Sequence, residues 1–230
     1  MGELHLVGGE KGGVGKSVVA RLLAQYWIDR STPFVGFDTD RSHGALLRYY
    51  SEFSQPLEIS RVEDLDQLIE ASASSDARVL VDLAAQTERD LHNWIDSGEV
   101  LDLAREQGIR VVLWHVMDDG KDSVGVLSRL LERYGDRANY VVVLNKGRGE
   151  DFRLFKQSDA AERVDQLPAQ LFELPALHKG TMLKIDSLDK SFWAAAHHQN
   201  GKETTLGMME RQRLKVWLQK AYNEFARIGL

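Results

Sequence analysis

The sequence predicts an α/β fold, a mostly parallel, twisted sheet flanked by helices on both faces. Short apolar runs of strand length alternate with segments whose apolar residues recur at helical spacing. Several of these runs end in Asp or Asn, at the point where open sheets of this kind place their ligands. A glycine-rich stretch follows the first run, and no internal repeat stands out. A chain of 230 residues is expected to form one domain, spanning residues 1–230.

The composition is that of an ordinary globular domain and excludes several kinds of site. Hydrophobic residues make up 43% of the chain and charged residues 28%, and there is no cysteine. Disulfides, zinc–thiolate sites and cysteine nucleophiles are therefore excluded. No signal segment is visible and no apolar run approaches the ~18 residues of a membrane span, so a cytoplasmic location is expected. The net charge of −6 argues mildly against a surface devoted to nucleic acid.

The first half of the chain contains three predicted strands and two predicted helical stripes. The strands are Leu4–Val7, Phe34–Phe37 and Arg78–Asp82, and the stripes run from Val18 to Trp27 and from Val62 to Ile69. Ser31-Thr32-Pro33 ends the first helix. Residues 41–60 are loop-rich, and no element is assigned to them.

The second half continues the alternation. The predicted strands are Ile109–Val116, Tyr140–Leu144 and Leu171–Leu174; helices are predicted over Leu91–Arg105 with a break near Ser97-Gly98, over Val124–Tyr134, in part of Lys179–Ala196, and from Leu214 to Ile228. Trp94, Ile95, Phe192 and Trp193 are expected in the core. His115 is expected to be a satisfied interior histidine, because no second ligand lies at metal-binding spacing.

The glycine-rich stretch between the first strand and the first helix predicts a phosphate-binding loop. Gly12, Gly13 and Gly15 let successive backbone N–H groups point into one concavity, against the positive end of the following helix. Lys16 can reach the β- and γ-phosphates, and the Ser17 hydroxyl is placed to bind Mg²⁺. The stretch therefore predicts a site for a nucleoside triphosphate.

Acidic residues at the ends of two strands predict the rest of a magnesium site. Asp38 and Asp40 follow the second strand, and Asp82 ends the third. A carboxylate at the position of Asp82 commonly holds Mg²⁺ through water in sites of this kind. Residues 83–88 would form a segment that responds to the nucleotide, with Gln86 as a candidate contact.

The run from Lys11 to Ser17, Lys-Gly-Gly-Val-Gly-Lys-Ser, resembles the deviant P-loop of the MinD/ParA family of ATPases. The resemblance implies that ATP or ADP is bound by Gly12, Gly13, Val14, Gly15, Lys16, Ser17 and Val18. It also implies that Asp38 lies close to the metal and that Asp40 orients the attacking water. Lys11 would reach across a homodimer interface to the partner's phosphates, as an arginine finger does.

Two departures from the family pattern are visible. Glu10 stands where the general P-loop pattern has glycine, as in some members of the family. Val18 stands where a threonine hydroxyl usually binds the α-phosphate, so affinity or nucleotide discrimination is expected to differ. The order of elements over residues 1–200 looks most like the conjugation-associated TraL type within the family.

Asn145-Lys146-Gly147 begins like the guanine-reading Asn-Lys-x-Asp of GTPases, but Arg148 occupies the position of the discriminating aspartate. ATP is therefore favoured over GTP. In the resembled family an Asn at this strand end contacts adenine, which implies that role for Asn145, and Pro175 would pass near the base.

The favoured function is an ATP-dependent dimerisation switch that positions or partitions a cargo, with slow Mg²⁺-dependent hydrolysis stimulated by a partner protein. Two alternatives remain open: an ATP-using synthetase of the dethiobiotin or cobyrinate type, and a nucleotide-regulated module that binds DNA or protein. Lysines and arginines within 146–156 could contact DNA, although a solvated loop explains them equally well. A membrane-targeting role for the last helix is disfavoured, because no basic amphipathic extension follows it.

Overall fold

Seven strands form one parallel sheet in the part of the chain that the computed structural model describes, which comprises residues 2–9, 11–40, 44–74, 77–197 and 205–230. The strands are β1 (Glu3–Gly8), β2 (Phe34–Asp38), β3 (Ser54–Pro56), β4 (Arg78–Asp82), β5 (Arg110–Met117), β6 (Asn139–Asn145) and β7 (Ala169–Leu174). Their order in the sheet is β3-β2-β4-β1-β5-β6-β7, and every pair is parallel. The predicted fold class is confirmed.

Helices connect the strands. They are α1 (Lys16–Asp29), α2 (Ala45–Tyr49), α3 (Val62–Ser74), α4 (Glu88–Ser97), α5 (Val100–Glu106), α6 (Lys121–Tyr134), α7 (Arg153–Lys156), α8 (Asp159–Gln166), α9 (Lys179–Ser187), α10 (Phe192–His197) and α11 (Met208–Arg227). None of the helices within the described ranges combines the length and the apolar character needed to cross a bilayer.

The sheet is buried on both faces, with one apolar cluster on each side of it. One contains Leu6 and Val81 with the inner faces of α3 to α6, and the other contains Val7 and Leu80 with α1 and α11. Alternate residues of one strand thus enter opposite cores, as a two-sided parallel sheet requires. The order of the strands brings the carboxyl ends of β1, β2, β4, β5 and β6 to one edge.

The loop-rich segment 41–60 folds differently from the expectation. Its described part contains the short helix α2 and the edge strand β3. The carboxylate of Asp38 accepts hydrogen bonds from the backbone N–H groups of Leu46, at 2.8 Å, and Leu47, at 3.4 Å. Asp38, eight residues before Leu46, therefore caps the helix, so no pattern within the helix itself predicts where it begins.

One core assignment is wrong and the others are confirmed. Trp193 is 47% exposed, whereas Phe192, Trp94 and Ile95 are buried. Phe192 and Trp193 point about 100° apart on the short helix α10, and this helix packs the face that carries Phe192 against the core while Trp193 faces outward. The break near Ser97-Gly98 separates α4 from α5, as predicted.

Candidate functional site: a phosphate-binding loop with strand-end acids

The described part of the loop between β1 and α1 contains three glycines with positive φ, the first of which is Gly9 at +133°. Gly13 has φ +78° and Gly15 has φ +105°. Helix α1 begins at Lys16, and the N–H groups of Val18 and Val19 donate to the carbonyl of Gly15. The start of α1 therefore faces the loop, which is the arrangement that binds phosphate through backbone N–H groups and the helix dipole.

The two lysines of the loop point in different directions. Lys16 is buried, and its Nζ donates to the backbone carbonyl of Lys11 at 3.0 Å, which folds the side chain over the loop. Burial lowers the pKa of Lys16, and the charge of Asp82 partly opposes that shift. Lys11 Nζ instead donates to Asp118 Oδ2 at 2.6 Å, just past the end of β5, and the Lys11 side chain is 38% exposed. Lys16 is thus directed into the loop and Lys11 outward.

Asp38 and Asp82 lie side by side at the carboxyl ends of β2 and β4. The pKa of Asp82 is raised to about 7, chiefly by burial and in part by the charge of Asp38, and a hydrogen bond from Ser17 opposes the rise. Asp82 Oδ1 is buried and has no hydrogen-bond partner in the described part of the chain. A buried carboxylate with an orphan oxygen, beside a hydroxyl and a second acid, fits the oxygen ligands that Mg²⁺ prefers.

The two acids differ in what they already bind. Asp38 caps α2 through Oδ2, and its Oδ1 accepts from the backbone N–H of Asp40 at 3.0 Å. Burial raises the pKa of Asp38, and these backbone hydrogen bonds oppose the rise. Asp38 therefore fixes the segment that carries Asp40, while Asp82 keeps an oxygen available. Among the described residues, no three His, Asp or Glu side chains form a metal cluster of their own.

Asn145 connects the end of β6 to the glycine-rich loop. Its Nδ2 donates to the Val14 carbonyl at 2.7 Å, and its Oδ1 accepts from the Gly147 N–H at 3.0 Å. A Cβ on Gly15 would lie only 2.3 Å from that Nδ2. Gly15 is therefore required twice, by its φ and by the approach of Asn145.

A cleft of about 680 Å³ extends from Asn145 away from the loop. Val18 and Pro175 line it together with Asn145, and Met182 and Leu183 of α9 line its far side. The carbonyl of Pro175 accepts a hydrogen bond from Trp217 Nε1 at 2.6 Å, which ties this loop to α11. The residues predicted to contact a base thus share one opening beside the loop.

Replacing Gly15 with alanine is expected to weaken ATP binding at least about tenfold and to lower the unfolding free energy by roughly 1–3 kcal/mol. The reason is the positive φ together with the 2.3 Å approach to Asn145 Nδ2. Gly12→Ala is the folding control, because a Cβ there meets only the Ala85 Cβ at an ordinary 3.9 Å. Titration calorimetry and urea unfolding measure the two quantities. An unchanged affinity and stability in Gly15→Ala would contradict the account of the loop.

Several site residues escaped the sequence reasoning. No sequence pattern around Asp118 indicates its hydrogen bond to Lys11, because the two residues are 107 positions apart. Thr39 Oγ1 donates to the Asp82 carbonyl at 3.2 Å and accepts from the Ala84 N–H at 2.8 Å, joining the ends of β2 and β4. The middle residue of Asp38-Thr39-Asp40 therefore links the two segments that flank the acids.

The remaining candidates lie as follows. His115 is buried and its Nε2 contacts the Ser123 carbonyl at 3.1 Å, which confirms a satisfied interior histidine. Gln86 has φ +64°, an unusual backbone for that residue type. In the basic loop, Lys146 pairs with Glu173 at 3.7 Å and Arg153 pairs with Asp151. Glu10 lies outside the described residues.

No protein-family model matches the chain. The chain is 28% identical to Protein TraL of Escherichia coli over 227 residues, covering 94% of each chain. It is 27% identical to Protein MobD of Acidithiobacillus ferrooxidans over 180 residues, covering 75% of this chain and 77% of MobD.

Two solved structures share the fold. The cell division protein MinD of Aquifex aeolicus matches with a TM-score of 0.54 and 14% identity, covering 94% of this chain and 97% of MinD. A plasmid partition protein of Borrelia burgdorferi, solved with bound AMPPNP, matches with a TM-score of 0.55 and 12% identity over 99% of both chains. This chain therefore shares its fold with MinD and with the plasmid partition protein, and it resembles TraL and MobD in sequence.

Proposed function

We propose that this protein is a Mg²⁺-dependent ATPase that dimerises when it binds ATP and thereby positions or partitions a cargo. The observation that carries the proposal is the contrast between the two loop lysines. Lys16 is buried and folds over its own loop, whereas Lys11 points outward to Asp118 and remains partly exposed. A second subunit can reach this surface cation once its hydrogen bond to Asp118 opens.

In this proposal the phosphates lie against the backbone of residues 12–17, and Lys16 neutralises charge on the β- and γ-phosphates. Ser17, Asp38 and Asp82 hold Mg²⁺, with the Asp82 carboxylate closest to the Ser17 hydroxyl. Bound Mg²⁺ supplies charge neutralisation on the phosphate oxygens. Asp40, whose backbone is fixed by Asp38, orients the attacking water.

Asn145 and Pro175 receive the base in the cleft beside the loop. One amide hydrogen of Asn145 already bonds to the Val14 carbonyl. Asn145 retains a second hydrogen and a second oxygen lone pair, so it can contact a base without releasing the loop.

The names of the relatives support the proposed role in positioning or partitioning a cargo. The neighbours by fold are a cell division protein and a plasmid partition protein, and the relatives by sequence are TraL and MobD. We propose a cytoplasmic, single-domain protein over residues 1–230, whose hydrolysis is stimulated by a partner protein. DNA is a candidate surface for binding the dimer. Lys146 and Arg153, the basic residues that would contact it, already pair with acidic side chains.

Light scattering after size exclusion tests the proposal directly. The protein is expected to be a dimer with Mg²⁺ and a non-hydrolysable ATP analogue, and a monomer with ADP. A monomer under both conditions, with the analogue bound, would refute the dimer switch. Absence of nucleotide binding would refute the ATPase assignment itself.

The contact between Lys11 and Asp118 gives a second test. The hydrogen bond to Asp118 raises the pKa of Lys11 and holds the cation within its own subunit. Asp118→Asn keeps an oxygen for the Ser123 hydroxyl and the Gly120 N–H but loses the charge. The variant is expected to dimerise at roughly two- to fivefold lower ATP concentration, because a partly exposed ion pair contributes about 0.2–1 kcal/mol.

Asp122→Asn is the matched control for that experiment. Asp122 acts on Lys11 through its charge alone, without a hydrogen bond. It should leave the midpoint of dimerisation nearly unchanged. If Asp118→Asn and Asp122→Asn shift the midpoint equally, the hydrogen bond to Asp118 does not restrain Lys11.

A further inference from the structure

A buried arginine holds one carboxylate at the edge of the base cleft. Arg21 of α1 is 3% exposed, and its Nη1 donates to Asp186 Oδ1 of α9 at 2.7 Å. The guanidinium carbon lies 3.9 Å from the centre of the Tyr49 ring and 4.3 Å from that of Phe192. Arg21 therefore has one fixed position between two rings.

This arrangement is costly for folding. Arg21 Nε and Nη2 are buried without hydrogen-bond partners in the described part of the chain. A buried charge with unmet donors destabilises a fold, and its pairing with a single acid does not offset that cost reliably. The Asp186 side chain, in contrast, is 44% exposed. Cation–π contact with the two rings offsets part of this cost. The pair also fixes the orientation of the Asp186 carboxylate.

Asp186 faces the cleft whose wall also contains Asn145 and Pro175. Met182 and Leu183, one turn earlier on α9, line the same cleft, and Leu183 is 60% exposed. A flat, largely apolar base would cover these side chains better than a hydroxyl-rich sugar would. The backbone carbonyl of Asp186 accepts from the Tyr49 hydroxyl at 3.2 Å, so the main chain of Asp186 is held as well.

The other aspartate of the cleft is already engaged. Asp119 Oδ2 accepts from the backbone N–H groups of Glu150 and Asp151, at 3.0 and 3.2 Å, which fixes the following loop. Asp186 uses Oδ1 for Arg21, while no hydrogen bond to its Oδ2 is present among the described residues. Asp186 thus offers one free, charged acceptor to a ligand.

We propose that Asp186 is the specificity-determining residue of the base cleft and accepts a hydrogen bond from the 6-amino group of adenine. This inference rests on the proposed ATPase function. Guanine carries a carbonyl oxygen at the same ring position, and two oxygens facing each other repel. Asp186 would therefore select ATP over GTP in a chain where Arg148 replaces the guanine-reading aspartate. Arg21 is a positioning residue for it.

The test compares ATP with purine riboside triphosphate, which lacks only the 6-amino group. Wild-type protein is expected to bind ATP at least about tenfold more tightly, since the hydrogen bond involves a charged acceptor. In Asp186→Ala the two affinities become equal, while the affinity for purine riboside triphosphate stays at the wild-type value. GTP binding improves in the same variant.

Asp189→Ala is the matched control, because Asp189 is an exposed neighbour that pairs with Arg48 on the surface. It should keep the wild-type preference. Asp186→Ala leaves Arg21 as an unpaired buried charge, so the double variant Arg21→Met/Asp186→Ala removes that charge and should show the same equal affinities. Arg21→Met alone should reduce the preference, as a positioning role requires.

Three results would decide against the proposal or its basis. An unchanged preference for ATP in the folded Asp186→Ala or double variant would overturn it. A loss of discrimination between ATP and 2′-deoxy-ATP instead would show that Asp186 reads the ribose. Failure of the wild-type protein to bind any of these triphosphates would overturn the proposed function itself.

Discussion

Lys11→Ala is expected to bind ATP with nearly wild-type affinity and to hydrolyse it about 10³-fold more slowly, or slower still. Lys16 and the backbone of the loop remain to hold the phosphates, since Lys16 Nζ donates to the backbone carbonyl of Lys11, which alanine retains. In the proposed mechanism, the cation lost in this variant neutralises charge that develops on the transferred phosphoryl group. Lys121→Ala, an exposed lysine at the start of α6, is the control and should hydrolyse ATP normally.

A mixing experiment separates action in trans from action in cis. Asp40→Ala is expected to bind ATP without hydrolysing it, while keeping Lys11. A heterodimer of Lys11→Ala and Asp40→Ala then contains one complete site if Lys11 acts across the interface. An equal mixture of the two inactive variants should recover roughly a quarter of the wild-type rate, because half of randomly paired dimers are mixed. No recovery in mixtures that do form heterodimers would show that Lys11 serves its own subunit.

Asp82→Asn is expected to stabilise the protein free of nucleotide and magnesium while weakening its Mg²⁺-dependent binding of ATP. The folded protein holds the pKa of Asp82 near 7, against an ordinary value of 3.8, chiefly because the carboxyl is buried. Between these values the folded protein retains a proton that the unfolded chain has released. The stability of the wild-type protein therefore falls as the pH rises from about 4 to 7, and the deficit is complete above that range.

The size of the effect follows from the shift of about three pKa units, which corresponds to roughly 4 kcal/mol at pH 8. Asparagine does not ionise, so the variant should gain up to that amount at pH 8 and less than about 2 kcal/mol at pH 5. Urea unfolding at the two pH values measures the difference. Asp122→Asn, on the exposed surface of α6, should show no comparable gain.

Two results would contradict this prediction. If Asp82→Asn is less stable than the wild type at pH 8, contacts in the folded protein stabilise the charged form of the Asp82 carboxylate, and burial does not dominate its pKa. If Mg²⁺-dependent ATP binding is unchanged, Asp82 does not take part in the magnesium site. Either result would remove the reason for placing a metal beside Ser17.

Much of the fold was predictable because its signals are local. The strands β4 and β6 contain continuous apolar runs, and those of β1 and β5 are interrupted only by His5 and His115. The break in Leu91–Arg105 was visible as Ser97-Gly98. The helix α2 was missed because its cap is the carboxylate of Asp38, which belongs to a preceding strand. Trp193 was assigned to the core from its apolar character, but its short helix buries only the face that carries Phe192.

The sequence by itself determined the glycine-rich loop and the acids that follow the strands beside it, because glycine conformations, helix starts and strand ends depend on neighbouring residues. Only the tertiary structure decided which groups meet across the chain. Lys11 and Asp118 are 107 residues apart, and Arg21 and Asp186 are 165 apart. Lys11 meets Asp118 because the parallel sheet brings the ends of β1 and β5 to one edge. Arg21 meets Asp186 because α1 and α9 pack into the same core on one face of the sheet. No sequence spacing encodes either contact.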